Sequence, residues 1–176
     1  FASKTLLKRF LKDRFGRIAS GAELMRMMQN TDVLVPTKQH YYIETIESHY
    51  GHTHYKEHLG IMRQILIDME PGYVQAWDKV LHKRGAHFFN MMVMSKATFN
   101  AYCEWLFPLL FEIVTRRDPS RYDPFQARYP GRISEILLNV WLEANQINYK
   151  TLPTIYTETI NWPRKIFSFL KAKMVK

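Results

Sequence analysis

The chain has 176 residues, 47% of them apolar, which suffices for one domain with a packed core and argues against a disordered segment. Its formal charge of +9 admits nucleic acid, an anionic membrane face or a phosphorylated small molecule as partner and chooses among none of them. A lone cysteine, Cys103, excludes an internal disulfide, and no apolar run approaches the roughly 20 residues of a membrane-spanning helix.

Phe1 falls inside a helical pattern, so the N-terminal part of a larger protein is expected to precede it. The stretch FASKTLLKRFLKDRFGR is basic and amphipathic. In SGAELMRMMQN, Ser20 and Glu23 have the spacing of a capping box, and a helix is predicted over residues 21–29. TDVLVP reads as a short strand stopped by Pro36. YYIETIESHYG carries signals of both helix and loop. Leu59, Met62, Ile65 and Leu66 share one helical face, which predicts a helix over 53–69 ending before Pro71 and Gly72. YVQAWDKVLHKR is a second helix, and the short break between the two implies a closely packed pair.

AHFFNMMVMS, between Gly85 and a polar Ser-Lys, suits a buried strand. A long helix is predicted over 96–116, with Pro108 expected to kink or divide it and Cys103 expected as an inert core thiol. RRDPSRYDPFQARYPG is a proline-rich loop. RISEILLNVWLEANQ is helical through Ile133, Ile136, Leu137, Val140 and Trp141. NYKTLPTIYTE reads as extended chain, and NWPRKIFSFLKAKMVK starts a new helix at Pro163. The prediction is a single domain over 1–176, predominantly helical with two or three short strands, ending in a basic amphipathic tail over 162–176. Such a tail fits a membrane-surface anchor, where each basic group near an anionic leaflet adds about 1 kcal/mol. It equally fits a helix docked on the domain with a solvated basic side.

Four histidines crowd the stretch SHYGHTHYKEHL. His54 and His58 have the i, i+4 spacing of a zinc pair, but Tyr55 stands where a zinc hydrolase carries glutamate, and no cysteine lies nearby. No metal ligand is assigned. His49 and His52 read as solvated polar residues, His58, next to Leu59 on the buried side, as solvated or partly covered, and His54 as an ordered residue at a helix start. Composition and periodicity thus leave two classes open: an enzyme, or a non-catalytic basic helical module that binds nucleic acid or a membrane surface.

The run HYYIETIESHYGHTHYKEHLGIMRQIL, followed by PGYVQAWDKVLHKRGAHFFNMMVMSKATFNAYCEWLFPLLFE and GRISEILLNVWLEANQ, resembles a bacterial family of capsular and exopolysaccharide glycosyltransferases, often catalogued as a domain of unknown function. The resemblance covers most of the chain, roughly residues 33–162. It implies an α/β, GT-A-like nucleotide-diphospho-sugar transferase, of which this chain is the C-terminal, acceptor-side part. A nucleotide-sugar half, ending in a strand with a His-Tyr-Arg-Arg-like motif, would lie immediately upstream. The implied reaction moves a sugar from a nucleoside diphosphate donor to a growing capsular, exopolysaccharide or O-antigen glycan, lipid-linked or free. It would occur in the cytoplasm or at the inner membrane face, with no nucleic-acid partner.

The resemblance also assigns residues. His54 falls at a recurring family histidine, with Tyr42 and Glu44 as secondary candidates in the segment before it. His87 and Asn90 match a polar position at the mouth of the sugar site. Glu135 matches a carboxylate brought beneath the acceptor, where one proton acceptor is needed by an inverting enzyme. Arg132, at the same helix start, is positioned to meet a diphosphate, because its planar donors suit phosphate oxygens. The site therefore takes Glu135 and His54 as catalytic and His87, Asn90, Arg132, Tyr42 and Glu44 as substrate-binding. No Asp-x-Asp element occurs, so no cofactor is evident in these residues: either the full-length enzyme holds a divalent cation in its other half, or basic groups take the place of one.

Overall fold

The computed structural model describes residues 1–3 and 15–156. Most of the basic N-terminal stretch and the whole 162–176 tail lie outside them. Ser20 caps helix α1 (Gly21–Met28): its hydroxyl accepts from the Glu23 N–H at 3.4 Å, and the Glu23 carboxylate accepts from the Ser20 N–H at 2.8 Å. This is the reciprocal box that the spacing predicts. Strand β1 (Val33–Pro36) follows, and Val33, Leu34 and Val35 are all fully buried. A strand covered on both faces has no polar side to alternate with, hence the continuous apolar run.

β1 is the middle of a three-stranded sheet. Strand β4 (Val93–Met94) pairs antiparallel on one side and β5 (Tyr149–Leu152) parallel on the other, in register from Val33 with Tyr149 to Pro36 with Leu152. A separate ribbon pairs β2 (Gln39–His40) with β3 (Gly85–Ala86). A Cβ on Gly85 would come within 2.6 Å of the His40 imidazole and 3.0 Å of the Gln39 carbonyl, so the ribbon closes only over a glycine.

The helix predicted over 53–69 starts four residues later, at Glu57, and the ambiguous stretch before it forms a helix of its own, with the break inside the histidine run. Thr45 caps α2 (Ile46–Thr53), and α3 (Glu57–Met69) begins after three intervening residues. His54 is therefore at the end of a helix, not the start: its backbone is extended, while its N–H still reaches the Tyr50 carbonyl at 2.7 Å. α3 buries Leu59, Met62, Ile65 and Leu66 as their spacing requires. One turn of 3-10 helix at Pro71–Tyr73 leads into α4 (Val74–Leu81).

α5 (Lys96–Arg116) runs unbroken through Pro108. Both Pro108 and Glu104 are exposed, so the carbonyl that loses its i+4 partner can be satisfied by water. Cys103 is half-buried on this helix and unpaired, rather than deep in the core. α6 (Tyr129–Ala144) is the central helix: every residue from Ile136 to Leu142 is buried, and α3, α4 and α5 all pack against it.

The single buried strand expected in AHFFNMMVMS is replaced by a turn between two sheets. β3 ends at Ala86 and β4 begins at Val93, and Phe89 and Asn90 reverse the chain with positive φ angles of 79° and 49°. The backbone of His87 is satisfied by a side chain instead of a strand. Asn139 of α6 accepts from the His87 N–H and donates to the His87 carbonyl, both at 2.9 Å. The result is a mixed α/β domain, mostly helical, with five short strands among the described residues.

Candidate functional site

A cleft of about 330 Å³ opens between α2, the turn at Phe88 and Phe89, and the first turns of α6. Helix α2 presents Ile46, His49, Tyr50 and Thr53 to it, an i, i+3, i+4, i+7 stripe set by the cap at Thr45. α6 presents Arg132 and Glu135, which lie one turn apart on the same face. Two of the residues singled out by the sequence therefore meet here, and His54 joins them from the end of α2.

Glu135 is half-buried, and burial holds its carboxyl above the ordinary carboxylate range. The Phe89 N–H, which the carboxylate accepts, and the charges of Arg132 and Arg128 pull the other way without cancelling the effect. Arg132 lies with its guanidinium 4.6 Å from the centre of the Phe125 ring. Its Nε is buried and finds no hydrogen-bond partner among the described residues. His54 places Nδ1 3.0 Å from the Gln126 Oε1, and Gln126 Nε2 donates to the Thr53 carbonyl at 3.2 Å. Burial lowers the basicity of His54, and the Arg132 charge adds to the effect, against the Gln126 hydrogen bond.

The remaining candidates lie elsewhere. His87 is buried beside a smaller hollow of about 50 Å³, with Nδ1 2.5 Å from the Pro36 carbonyl, so its ring does not line the main cleft. Asn90 does not line the cleft and has both ends of its amide tied to α6. Nδ2 donates to the Gly131 carbonyl at 2.9 Å, and Oδ1 accepts from the Ser134 hydroxyl at 3.0 Å. Tyr42 is 92% exposed and lines no part of the cleft. Glu44 turns its carboxylate to His49 and His52, at 2.7 and 2.8 Å from their Nδ1 atoms.

The histidine run itself divides differently from the sequence expectation. His58 is fully buried, not solvated: Tyr50 OH lies 3.1 Å from its Nδ1, Tyr122 OH 3.1 Å from its Nε2, and the Tyr129 ring stacks on it at 4.1 Å. His49 lines the cleft and stacks on Tyr41 at 3.9 Å. Sequence reasoning passed over both His49 and Tyr41, and it had no means of finding Asn139. Among the described residues no three His, Cys, Asp or Glu side chains are gathered to hold a metal ion. No helix among them is long and apolar enough to cross a membrane.

The model of the domain of unknown function DUF4422 matches residues 3–146. The chain belongs to this family. Among solved structures, this DUF4422 chain is similar to WbbM, described as a bifunctional glycosyltransferase in its apo form, with a TM-score of 0.69 and 23% identity. The match covers 76% of this chain and 25% of the WbbM chain, so the protein spans about a quarter of that structure. At that identity the likeness establishes a common fold. No curated protein matches the DUF4422 chain.

Proposed function

We propose that this DUF4422 domain carries the reaction site of a glycosyltransferase that moves a sugar from a nucleoside diphosphate donor to a growing bacterial surface polysaccharide. The observation that carries the reading is the pairing of Glu135 and Arg132 on one face of α6, inside a cleft large enough for a sugar and part of a diphosphate. Arg132 brings its guanidinium to the cleft, and positive charge there stabilises the diphosphate leaving group as it departs. Glu135 takes the proton of the acceptor hydroxyl while that oxygen forms its bond to the sugar C1. The C1–oxygen bond to the diphosphate breaks, and the electron pair leaves with the phosphate. A carboxyl held above its ordinary range is a stronger base once ionised, which suits this role. His54, beside Arg132, supplies a further polar contact to the donor. The likeness to WbbM supports the same class of chemistry.

Charge distribution favours a small anionic ligand over nucleic acid. Arg63 is paired with Asp78, Arg116 with Asp68 and Glu112, Arg117 with Glu57, and Lys79 and Lys83 with Glu143. These pairs break up any single-signed stripe along the described surface.

The test is consumption of nucleotide sugars by the purified protein with a panel of alkyl glycoside acceptors, read as nucleoside diphosphate release and as product by mass spectrometry. Glu135→Gln is expected to lower transfer by about 100-fold or more while donor affinity is kept. Arg132→Ala is expected to raise the donor KM. Transfer by Glu135→Gln within threefold of the parent rate, or no nucleotide sugar consumed at all, sinks the reading.

A further inference from the structure

Beside the reacting groups, the cleft holds a second polar device that the transfer step does not use. Glu44 Oε2 lies 2.7 Å from His49 Nδ1. A carboxylate only accepts, so the ring proton sits on Nδ1, and in the neutral ring the lone pair is on Nε2. Stacking on Tyr41, with centroids 3.9 Å apart and planes 18° from parallel, fixes the plane of the imidazole. Glu44 is pinned in turn by His52, whose Nδ1 lies 2.8 Å from its other oxygen, and its side chain is only 15% exposed. Nε2 of His49 has no hydrogen-bond partner among the described residues, and the ring borders the cleft.

We propose that His49, held by Glu44 in its Nδ1–H form, is the specificity residue of the acceptor subsite, accepting a hydrogen bond at Nε2 from one hydroxyl of the acceptor sugar. The inference rests on the transferase reading above. Its place is the cleft it shares with Glu135: both side chains line it, and Tyr41, on which the His49 ring stacks, is near enough to feel the Glu135 charge. Phe88, Phe89 and Tyr156 add aromatic surface on which the apolar face of a sugar ring can lie. A fixed acceptor atom beside such surface suits a polyol, and it penalises a sugar that lacks the matching hydroxyl.

The test uses alkyl hexosides and their mono-deoxy analogues as acceptor probes, with a nucleotide sugar that the parent protein consumes. His49→Ala is expected to raise the hexoside KM tenfold or more while kcat and the donor KM stay within threefold. Glu44→Gln is expected to raise the hexoside KM less, and His49→Gln, which keeps an acceptor, to recover part of the affinity. The parent protein should discriminate against the deoxy analogue at one position, and His49→Ala should lose that discrimination there alone, which a general loosening of the fold would not do. An unchanged hexoside KM in His49→Ala, or discrimination retained at every position, overturns the proposal. Nitrogen-15 NMR of the free protein supplies a readout independent of turnover: the Nδ1–H form of His49 is expected, and the Nε2–H form overturns the assignment. If no nucleotide sugar is consumed, the transferase reading alone fails. Hexoside binding by saturation-transfer NMR, present in the parent and lost in His49→Ala, then decides for or against the subsite.

Discussion

The protein is expected to lose stability between pH 7 and pH 5, with His58 alone carrying about 2 kcal/mol of the loss. Its imidazole is fully buried beneath Tyr50, Tyr122 and Tyr129. Burial pulls it down to about 4; the Glu57 carboxylate resists, and the charges of Arg117 and His54 add to the fall. The unfolded chain takes up the proton near pH 6.5, the folded chain only near 4. Stability is therefore full above pH 6.5, declines as pH falls through that window, and stops declining below about 4. The whole gap is worth about 3 kcal/mol, of which about 2 falls between pH 7 and pH 5. Urea unfolding of the parent and of His58→Gln at both pH values measures it. His54 and His87 are also lowered by burial, but both proteins keep them, so their shares cancel in the difference. His58→Gln should lose about 2 kcal/mol less than the parent, whatever its own stability at pH 7. Parallel losses in the two proteins would refute the argument that the buried ring excludes the proton.

Two further outcomes follow from side chains outside the cleft. Asn139→Ala strands the His87 N–H and carbonyl and should cost about 2–4 kcal/mol, measured by urea unfolding, with faster amide hydrogen exchange across residues 87–92. Lys79 and Lys83 hold the Glu143 carboxyl down to about 2, so its contribution is present above the ordinary carboxylate range and is lost as pH falls toward 2. The site is partly solvated, so the contribution is about 1 kcal/mol or less, and Glu143→Gln should flatten the acid limb of the unfolding free energy, measured with urea below pH 4.5, by that amount.

Much of the fold was legible where local chemistry and burial agree. The Ser20–Glu23 box, the apolar face of α3 and the covered strand β1 all follow from spacing alone. The failures occur where a side chain replaces backbone pairing or where a cap divides an element. AHFFNMMVMS is as apolar as a buried strand, but its partner is Asn139, some fifty residues later, and no local pattern announces that clamp. The histidine run looked like one helix start because the cap at Thr45 was not weighed. With α2 beginning at Ile46, His49 and Tyr50 fall on the stripe that faces the cleft, and His58 is carried to the buried side of α3. Glu135, Arg132 and His54 were placed in one site through family resemblance. Their meeting depends on α2 packing near the start of α6, which sequence periodicity does not encode.

Several departures from local rules lie at the cleft or beside it. Phe89 holds a left-handed backbone at a cost of about 1–2 kcal/mol, and its N–H is thereby available to the Glu135 carboxylate. Of the buried side-chain atoms without a partner among the described residues, Arg132 Nε is the one that belongs to a permanently charged group. α6 begins with no side-chain cap, as do α3 and α4, whereas Ser20, Thr45 and Ser95 cap the starts of α1, α2 and α5. The neighbouring turn is meanwhile held from two sides, by Asn139 at His87 and by Asn90 against Gly131 and Ser134. Clamps of that kind would be superfluous around a relaxed loop. They hold a strained turn and a half-buried carboxyl at fixed positions beside Arg132, which is what the proposed hydroxyl and diphosphate contacts require.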